Sequence, residues 1–441
     1  MTGFDYRTAS EDQIMDLARE LPGLTLDQIP GARFDATEDR RGKGEVGAAI
    51  EAYFGIEPNQ RPEADFIGAG IELKAVPLVA QMDGKARVKE RTVISMIDYD
   101  ELARETWTTA SVRSKLNILF VFFEHLIGED KRRFPIRAIA RFMPSGPVDA
   151  QIRQDWEHVH AKLLAGEAHL LSERDGLIMG PCTKGTDSQH LRRQPFSDVP
   201  AKSRAFALKP TFTFSVYRDG LDNALDMTRL AELSNLDRLR QVFARYVGRT
   251  VGDVSMELGI PQSSAKDHAS RVVRGAAAKC GGLTRDELEG TVTVRVPRVD
   301  AEMLPYEAVS FPAFRSLELA EEEWDESDLL SRIQHMLLIP VEGAHRDTPQ
   351  DQCRIGRPRY WEPSEEALSR IEREWTMYRD LIRASRAEDL PTSRDTTAIH
   401  VRPHGKDSSD RDRLPNGTTA IRKSFWLNRE LVQQILTREN A

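Results

Sequence analysis

Cysteine is scarce in this sequence: Cys182, Cys280 and Cys353 are the only three in 441 residues, and none stands in a Cys-x-x-Cys or Cys-His spacing. An odd, scattered set excludes a disulfide framework, argues against a zinc centre and fits a reducing cytoplasm. No run of eighteen apolar residues occurs, and MTGFDYRTASEDQIMDLARE, the first twenty residues, lacks the basic-then-apolar order of a secretory leader. Neither a membrane span nor export is expected, so the expected location is cytoplasmic. An excess of positive charge is also missing, since 62 Lys and Arg stand against 70 Asp and Glu. That balance excludes a uniformly basic surface but leaves room for a positive cleft inside an acidic exterior. What is present is a 40% hydrophobic content, enough for real cores, in a chain long enough for two or three domains.

The stretch that organises the chain is KGEVGAAIEAYFGIEPNQRPEADFIGAGIELKAVPL, residues 43–78. Glu45 to Phe54 reads as an amphipathic helix with Val46, Ala49, Ile50 and Tyr53 or Phe54 on its buried side, ended by Gly55. Gly70 to Val76 alternates as a half-buried strand does, so Glu72 and Lys74 share one face and Ile71, Leu73 and Ala75 the other. Asp65 lies seven residues before Glu72, past Gly68 and Gly70, giving Asp-x6-Glu-x-Lys. Two carboxylates beside an ammonium suit a magnesium ion and leave a lysine to orient or help deprotonate a water. The spacing alone equally fits a turn residue followed by the solvated side of a strand. Glu51, fourteen residues before Asp65, can face the same point.

With KGEVGAAIEAYFG, PEADF and GIELKAVPL in these positions, the sequence resembles the MutH-type endonucleases, the mismatch-repair nickase and its restriction-enzyme relatives, which share the PD-(D/E)xK fold. The resemblance implies that Asp65, Glu72 and Lys74 are the catalytic triad, with Glu51 a further acidic member, Lys43 the lysine of a KGxVG motif, and Mg2+ held by Asp65, Glu72 and Glu51. Thr106 to Leu116, TWTTASVRSKL, matches a second family stretch and brings Arg113 and Lys115 towards DNA by the same resemblance.

Along the rest of the chain, residues 1–30 read as two short helices, the second announced by Thr25, and residues 31–42 as a polar link. Val88 to Ile97 follows the site strand, and Leu116 to His125 reads as a buried central strand. Residues 148–165 predict an amphipathic helix around Trp156, and Lys209 to Val216, KPTFTFSV, a strand. Three basic clusters, Lys131-Arg132-Arg133 with Arg137 and Arg141, Gln189 to Arg193, and Arg354, Arg357 and Arg359, are as ready to be solvated faces as phosphate contacts.

The second half repeats the first. Gly23-Leu24-Thr25 recurs as Gly248-Arg249-Thr250, Lys43 falls opposite Lys266, Ile71 to Lys74 opposite Val292 to Arg295, and Trp107 opposite Trp324. Pro144 to Trp156 and Pro363 to Trp375 span equal distances, each Trp being preceded by an acid, Asp155 or Glu374. We expect an α/β protein of two tandem MutH-like domains forming a pseudo-dimer within one chain, 1–225 catalytic and 226–441 degenerate. In the second copy Asp286 still precedes Thr293, but Thr293 and Arg295 stand for the glutamate and lysine, and no acid lies near Val272 to Arg274, so one catalytic centre per chain is expected. Val251 to Lys266 also has the look of a helix-turn-helix, which the repeat explains better.

The second copy keeps IPVEG at Ile339 to Gly343, IHVRPHGK at Ile399 to Lys406 and KSFWLN at Lys423 to Asn428, segments similar to the C-terminal part of the family. By that resemblance Arg402 is a base-reading arginine, Trp426 an aromatic sensor of the adenine, and Lys406 and Lys423 phosphate contacts, with His404 facing DNA. Arginine is the natural reader of guanine in the major groove. The first copy reads Gly180 to Gly185 there, without the arginine, which leaves Lys184, Lys209, Lys202 or Arg204 to contact DNA. The whole pattern is similar to the restriction endonucleases of this fold that cut 5′-GATC. It implies double-stranded DNA bound at a substrate and an effector site, Mg2+ as cofactor, chains that are monomeric in solution and pair on DNA, and a cognate DNA methyltransferase as genetic partner. A mismatch-repair nickase and a non-catalytic DNA-binding regulator are the alternatives.

Overall fold

The computed structural model describes residues 4–32, 44–57, 63–80, 86–172, 175–184, 191–220, 242–265, 267–281, 292–324, 327–334, 336–405, 407 and 409–438. Lys43, Lys266, Asp286 and Lys406, and the expected junction at 225/226, lie outside them. The chain divides into two compact units, Met1–Ala231 and Glu232–Ala441.

The first unit contains, in order, α1 (Glu11–Ala18), α2 (Glu45–Tyr53), β1 (Glu72–Ala80), β2 (Ala86–Val88), β3 (Thr92–Met96), α3 (Tyr99–Leu102), α4 (Ser111–Ser114), β4 (Ile118–Glu124), β5 (Ile136–Phe142), α5 (Gly146–Leu164), β6 (Met179–Thr183), β7 (Leu191–Gln194), β8 (Ser197–Lys202), β9 (Arg204–Leu208) and α6 (Pro210–Gly220). Its main sheet has the order β2-β1-β4-β5, with β1 parallel to β4 and β5 antiparallel to it. The run ILFVFFE makes β4 central because it can be buried on both faces. Phe120 and Phe122 join the core that holds Trp156, whereas Leu119, Val121 and Phe123 join the core that holds Ile14, Ile50 and Phe54. Period-two alternation thus sorts one strand between two cores.

The α1 helix starts at Ser10, whose hydroxyl and the Gln13 side chain form a reciprocal capping box. The second expected helix is shorter than its signal, a 3-10 turn over Leu26–Gln28 with Thr25 and Gln28 closing the same box. Gly55, at φ 72°, ends the α2 segment as expected. A second sheet, β3-β9-β6, is antiparallel throughout. The expected strand over Lys209 to Val216 is corrected: Pro210 opens α6, and the strand is the preceding β9. Proline suits the first helical turn, and the alternation Thr-Phe-Thr-Phe is compatible with a helix here because Phe212 and Val216, four apart, both enter the core.

The second unit contains α7 (Val251–Leu258), α8 (His268–Gly281), β10 (Thr293–Arg295), β11 (Arg298–Val299), β12 (Val309–Ala313), α9 (Ser316–Glu321), α10 (Asp328–Ile333), β13 (Met336–Leu338), β14 (Val341–Glu342), β15 (Arg354–Ile355), β16 (Arg359–Trp361), α11 (Glu365–Arg383), β17 (Ile399–Pro403), β18 (Arg411–Arg413), β19 (Thr419–Ile421), β20 (Lys423–Leu427) and α12 (Arg429–Thr437). Its strand orders β10-β13-β16 and β12-β20-β17 follow those of β1-β4-β5 and β3-β9-β6, with the same senses.

Local details recur as well. The amide of Gly23 bonds the Ile136 carbonyl at 2.9 Å, and that of Gly248 the Ile355 carbonyl at 2.7 Å. Both long helices, α5 and α11, have 19 residues. Trp156 lies 5.9 Å from Trp107, and Trp375 lies 5.5 Å from Trp324, at interplanar angles of 51° and 53°. The acid before each tryptophan has a shared role. Asp155 accepts the amides of Leu177, Ile178 and Met179 leading into β6, and Glu374 those of Thr397, Ala398 and Ile399 leading into β17. Each carboxylate pins its helix to the start of a strand.

Candidate active site

Asp65, Glu72 and Lys74 are brought together by a tight connection. Phe66 and Ile71 pair across the turn, with the Phe66 amide 2.9 Å from the Ile71 carbonyl, so Asp65 is folded back beside β1. Two glycines make this possible. Gly70 takes φ 61°, and a Cβ on Gly68 would stand 2.8 Å from the Arg7 carbonyl oxygen. The Leu73 amide then donates to Asp65 Oδ2 at 2.8 Å.

Glu72 opens β1 and is only 4% exposed. Its Oε1 accepts from Lys74 Nζ at 2.7 Å and lies 3.7 Å from Lys115 Nζ. Its Oε2 is buried without a hydrogen-bond partner. Lys115, expected at DNA, thus stands beside the Glu72 carboxylate. Glu51 looks in from α2: burial raises its pKa first, with Asp65 and Glu72 adding to the rise and Lys74 opposing it. Asp65 is raised in the same way, by burial and then by Glu72, against the Leu73 amide, Lys74 and Lys115. Burial and repulsion from neighbouring carboxylates thus hold Glu51 and Asp65 away from the charged state beside Glu72.

Among the described residues no group of three His, Cys, Asp or Glu side chains is drawn together closely enough to hold a metal by itself. Glu72 instead leans on two lysines and Asp65 on a backbone amide. The donor set nevertheless suits a hard divalent cation, because it offers carboxylate oxygens, one of them the unsatisfied Glu72 Oε2. Lys43 lies outside the described residues.

The same register in the second unit carries other chemistry. Thr293 pairs with Met336 and Arg295 with Leu338, as Glu72 pairs with Ile118 and Lys74 with Phe120. Arg295 is spent on the Ser310 and Val294 carbonyls at 3.1 and 2.9 Å. Arg274 follows the buried Val272 and Val273 on α8 as Glu51 follows the buried Ala49 and Ile50 on α2.

A second cluster lies on one face of β17 and β20. His400 pairs with Trp426 and Arg402 with Ser424, so these side chains share a face. Arg402 stands 5.4 Å from the Trp426 ring centre, and the His404 ring 5.8 Å away, its Nδ1 2.9 Å from Ser424 Oγ. Burial lowers the pKa of Lys423. In the first unit Cys182 occupies the register of Arg402 and Ala207 that of Trp426, since Cys182 pairs with Ala205 and Gly180 with Ala207. Lys184 follows β6, and Lys406 lies outside the described residues.

Several basic residues are committed within the protein. Lys131 bonds Glu45 at 3.1 Å, Arg132 pairs with Asp130, Arg133 with Glu129 and Arg137 with Glu124. Arg354 donates to the Gly248 carbonyl, Arg359 to that of Leu436, and Arg113 lies 5.1 Å from the Trp107 ring centre. His160 stacks on Trp156 and His158 reaches Asp175, so neither faces the other.

Comparison with known proteins places these features in a family context. The profile described as DNA mismatch repair enzyme MutH matches residues 54–155 and 290–374, one piece in each unit. The chain is 30% identical over 337 residues to the type II restriction enzyme Sau3AI of Staphylococcus aureus, which covers 72% of this chain and 68% of that protein. It is 31% identical over 216 residues to the DNA mismatch repair protein MutH of Salmonella paratyphi C, covering 46% of this chain and 90% of that protein. The MutH protein of Enterobacter sp. is 29% identical over the same length.

Proposed function

Because the chain belongs to the MutH-type family of DNA endonucleases, we propose that it is a Mg2+-dependent type II restriction endonuclease that cuts double-stranded DNA at 5′-GATC. The observation that carries the reading is the buried Glu72 carboxylate, held by Lys74 on one oxygen and open on the other, beside Asp65 and Glu51. Asp65 and Glu72, with Glu51, would hold the cation, which when bound neutralises the carboxylates and polarises the phosphate. Lys74 places its ammonium against Glu72, where it orients a water for attack on phosphorus. Burial of Glu72 keeps bulk water from competing, and Lys115 adds positive charge beside the same carboxylate.

The second unit would read DNA through Arg402 and Trp426 without cutting it, since Thr293 and Arg295 offer neither a magnesium ligand nor a deprotonatable amine. We infer a duplicated, pseudo-dimeric chain with one catalytic half, about 1–225, and one recognition half that binds a further copy of the site. A restriction enzyme fits better than a mismatch-repair nickase because the restriction relative covers 72% of the chain and the nickases 46%. One centre cuts one strand per visit, so a double-strand break would need two chains to pair on DNA or two visits.

The test is incubation of the purified chain with Mg2+ and a supercoiled plasmid of known sequence, beside Glu72→Ala and Lys74→Ala. Discrete double-strand cuts at GATC, lost in both variants, are expected. Persistent nicks would favour the nickase, and metal-independent binding with no cleavage would overturn the enzyme reading.

A further inference from the structure

The turn that carries the carboxylates is gripped from outside by Asn117, the residue before β4. Its backbone carbonyl accepts the Glu72 amide at 2.8 Å, and its side-chain Nδ2 donates to the Gly70 carbonyl at 2.7 Å and the Ala69 carbonyl at 3.4 Å. Asn117 thus holds the chain on both sides of Ile71. Its Oδ1 accepts from Arg141 Nη2, which settles the amide orientation, because a flipped amide would meet a guanidinium with a donor and two carbonyls with an acceptor. Arg141 is itself fixed: Nη1 donates to the Ile118 and Phe142 carbonyls at 3.1 and 2.8 Å, and Nε to Glu11 Oε1 at 2.9 Å. Its side chain is 17% exposed, which leaves little of it for a phosphate.

We propose that Asn117, locked by Arg141, is a positioning residue of the nuclease that sets the separation of Asp65 and Glu72. The turn needs such a hold. Gly68 and Gly70 give it conformational freedom, and the carboxylates it presents repel each other. The second unit supplies the contrast. Tyr360 pairs with Leu337 as Arg141 pairs with Leu119, and the sequence has His335 where Asn117 would stand. The Asn–Arg pair is thus not repeated in the sequence of the second unit, whereas a pair needed only to build this sheet would be.

The proposal rests on the nuclease reading, and its test separates the two. In the full chain, Asn117→Ala is expected to lower kcat about 10- to 100-fold, as misplacement of reacting groups does, with KM for DNA within about twofold of wild type. Hydrogen exchange of the amides over residues 66–73 is expected to quicken about tenfold or more, while β4 and α5 exchange as in wild type. Arg141→Lys, which loses the forked contact, is expected to move both readings in the same direction by less. Unchanged exchange over 66–73, unchanged kcat with quickened exchange, or a kcat loss that tracks weaker DNA binding and general unfolding would each overturn the proposal. If Asn117→Ala does not fold, wild-type values in Arg141→Lys overturn it. A wild-type chain that cuts no DNA sinks the nuclease reading, and the exchange data then decide the clamp alone.

Discussion

Two units of this chain share a strand order, a tryptophan pair and a carboxylate staple, yet they differ at the two clusters on which the proposed function rests. The first keeps Glu51, Asp65, Glu72 and Lys74 but has Cys182 and Ala207 where the second has Arg402 and Trp426. The second has Arg402 and Trp426 but Thr293 and Arg295 where the first has acid and lysine. The scaffold that survives in both is apolar packing and backbone bonding, which costs little to retain whatever the site does. Most of the polar groups that differ are ionisable, and burying such a group costs desolvation that only a partner or a task offsets.

Breaking the comparison at the carboxylates should have the largest effect. Glu72→Gln in the first unit is expected to lower cleavage by about a thousandfold or more while leaving DNA affinity intact, as read by product mapping and fluorescence anisotropy. The reciprocal change, Thr293→Glu with Arg295→Lys, is expected to create no second centre, since Arg274 and Tyr360 stand where Glu51 and Arg141 do in the first unit. Activity from that double variant in a Glu72→Gln background would contradict our account of the loss. Next in size is Arg402→Ala, expected to weaken binding to GATC DNA about 10- to 100-fold, with non-specific DNA bound nearly as before. Equal loss on both DNAs would make Arg402 a phosphate contact.

Much of this contrast was legible in the sequence, for reasons that particular residues make plain. The apolar run exposed β4, and the Gly55 stop and the Asp-x6-Glu-x-Lys spacing within its family motifs pointed to the candidate site, because these signals are local. Pro210 to Val216 misled because its alternation imitates a strand, and only the packing of Phe212 and Val216 on the core decides for a helix. The partners of Lys115 and Arg141 were not legible, since a basic residue in sequence does not say which acid or carbonyl it will meet. Asn117 gave no signal at all, because its partners are Gly70 and Arg141, 47 and 24 residues away. Asp155 and Glu374 were visible as a repeated pair, but their bonds to strand amides were not.

That repeated pair allows the units to be compared where they agree. Asp155→Ala and Glu374→Ala each strand three backbone amides, and each is expected to cost about 1–3 kcal/mol in chemical denaturation. Similar losses would support one staple used twice. A loss confined to one unit would show that the two helices are held differently despite their matching geometry.

The smallest effect sharpens the contrast through pH. Burial and mutual repulsion raise the pKa of Glu51 and Asp65 in the folded chain, and a carboxyl raised on folding contributes stability that is present below its unfolded pKa and lost as pH rises through its folded one. Above about pH 4, the ordinary carboxylate range, Glu51 and Asp65 therefore work against the fold that holds them. Glu51→Gln removes one charge, and is expected to raise the melting temperature of the first unit by about 2 °C at pH 7.5, with the gain shrinking to nothing near pH 4. Added Mg2+ should stabilise wild type more than this variant, because the cation relieves the same repulsion. Melting followed by calorimetry across that range checks both statements, and a gain at pH 7.5 that persisted at pH 4 would assign it to packing rather than to charge.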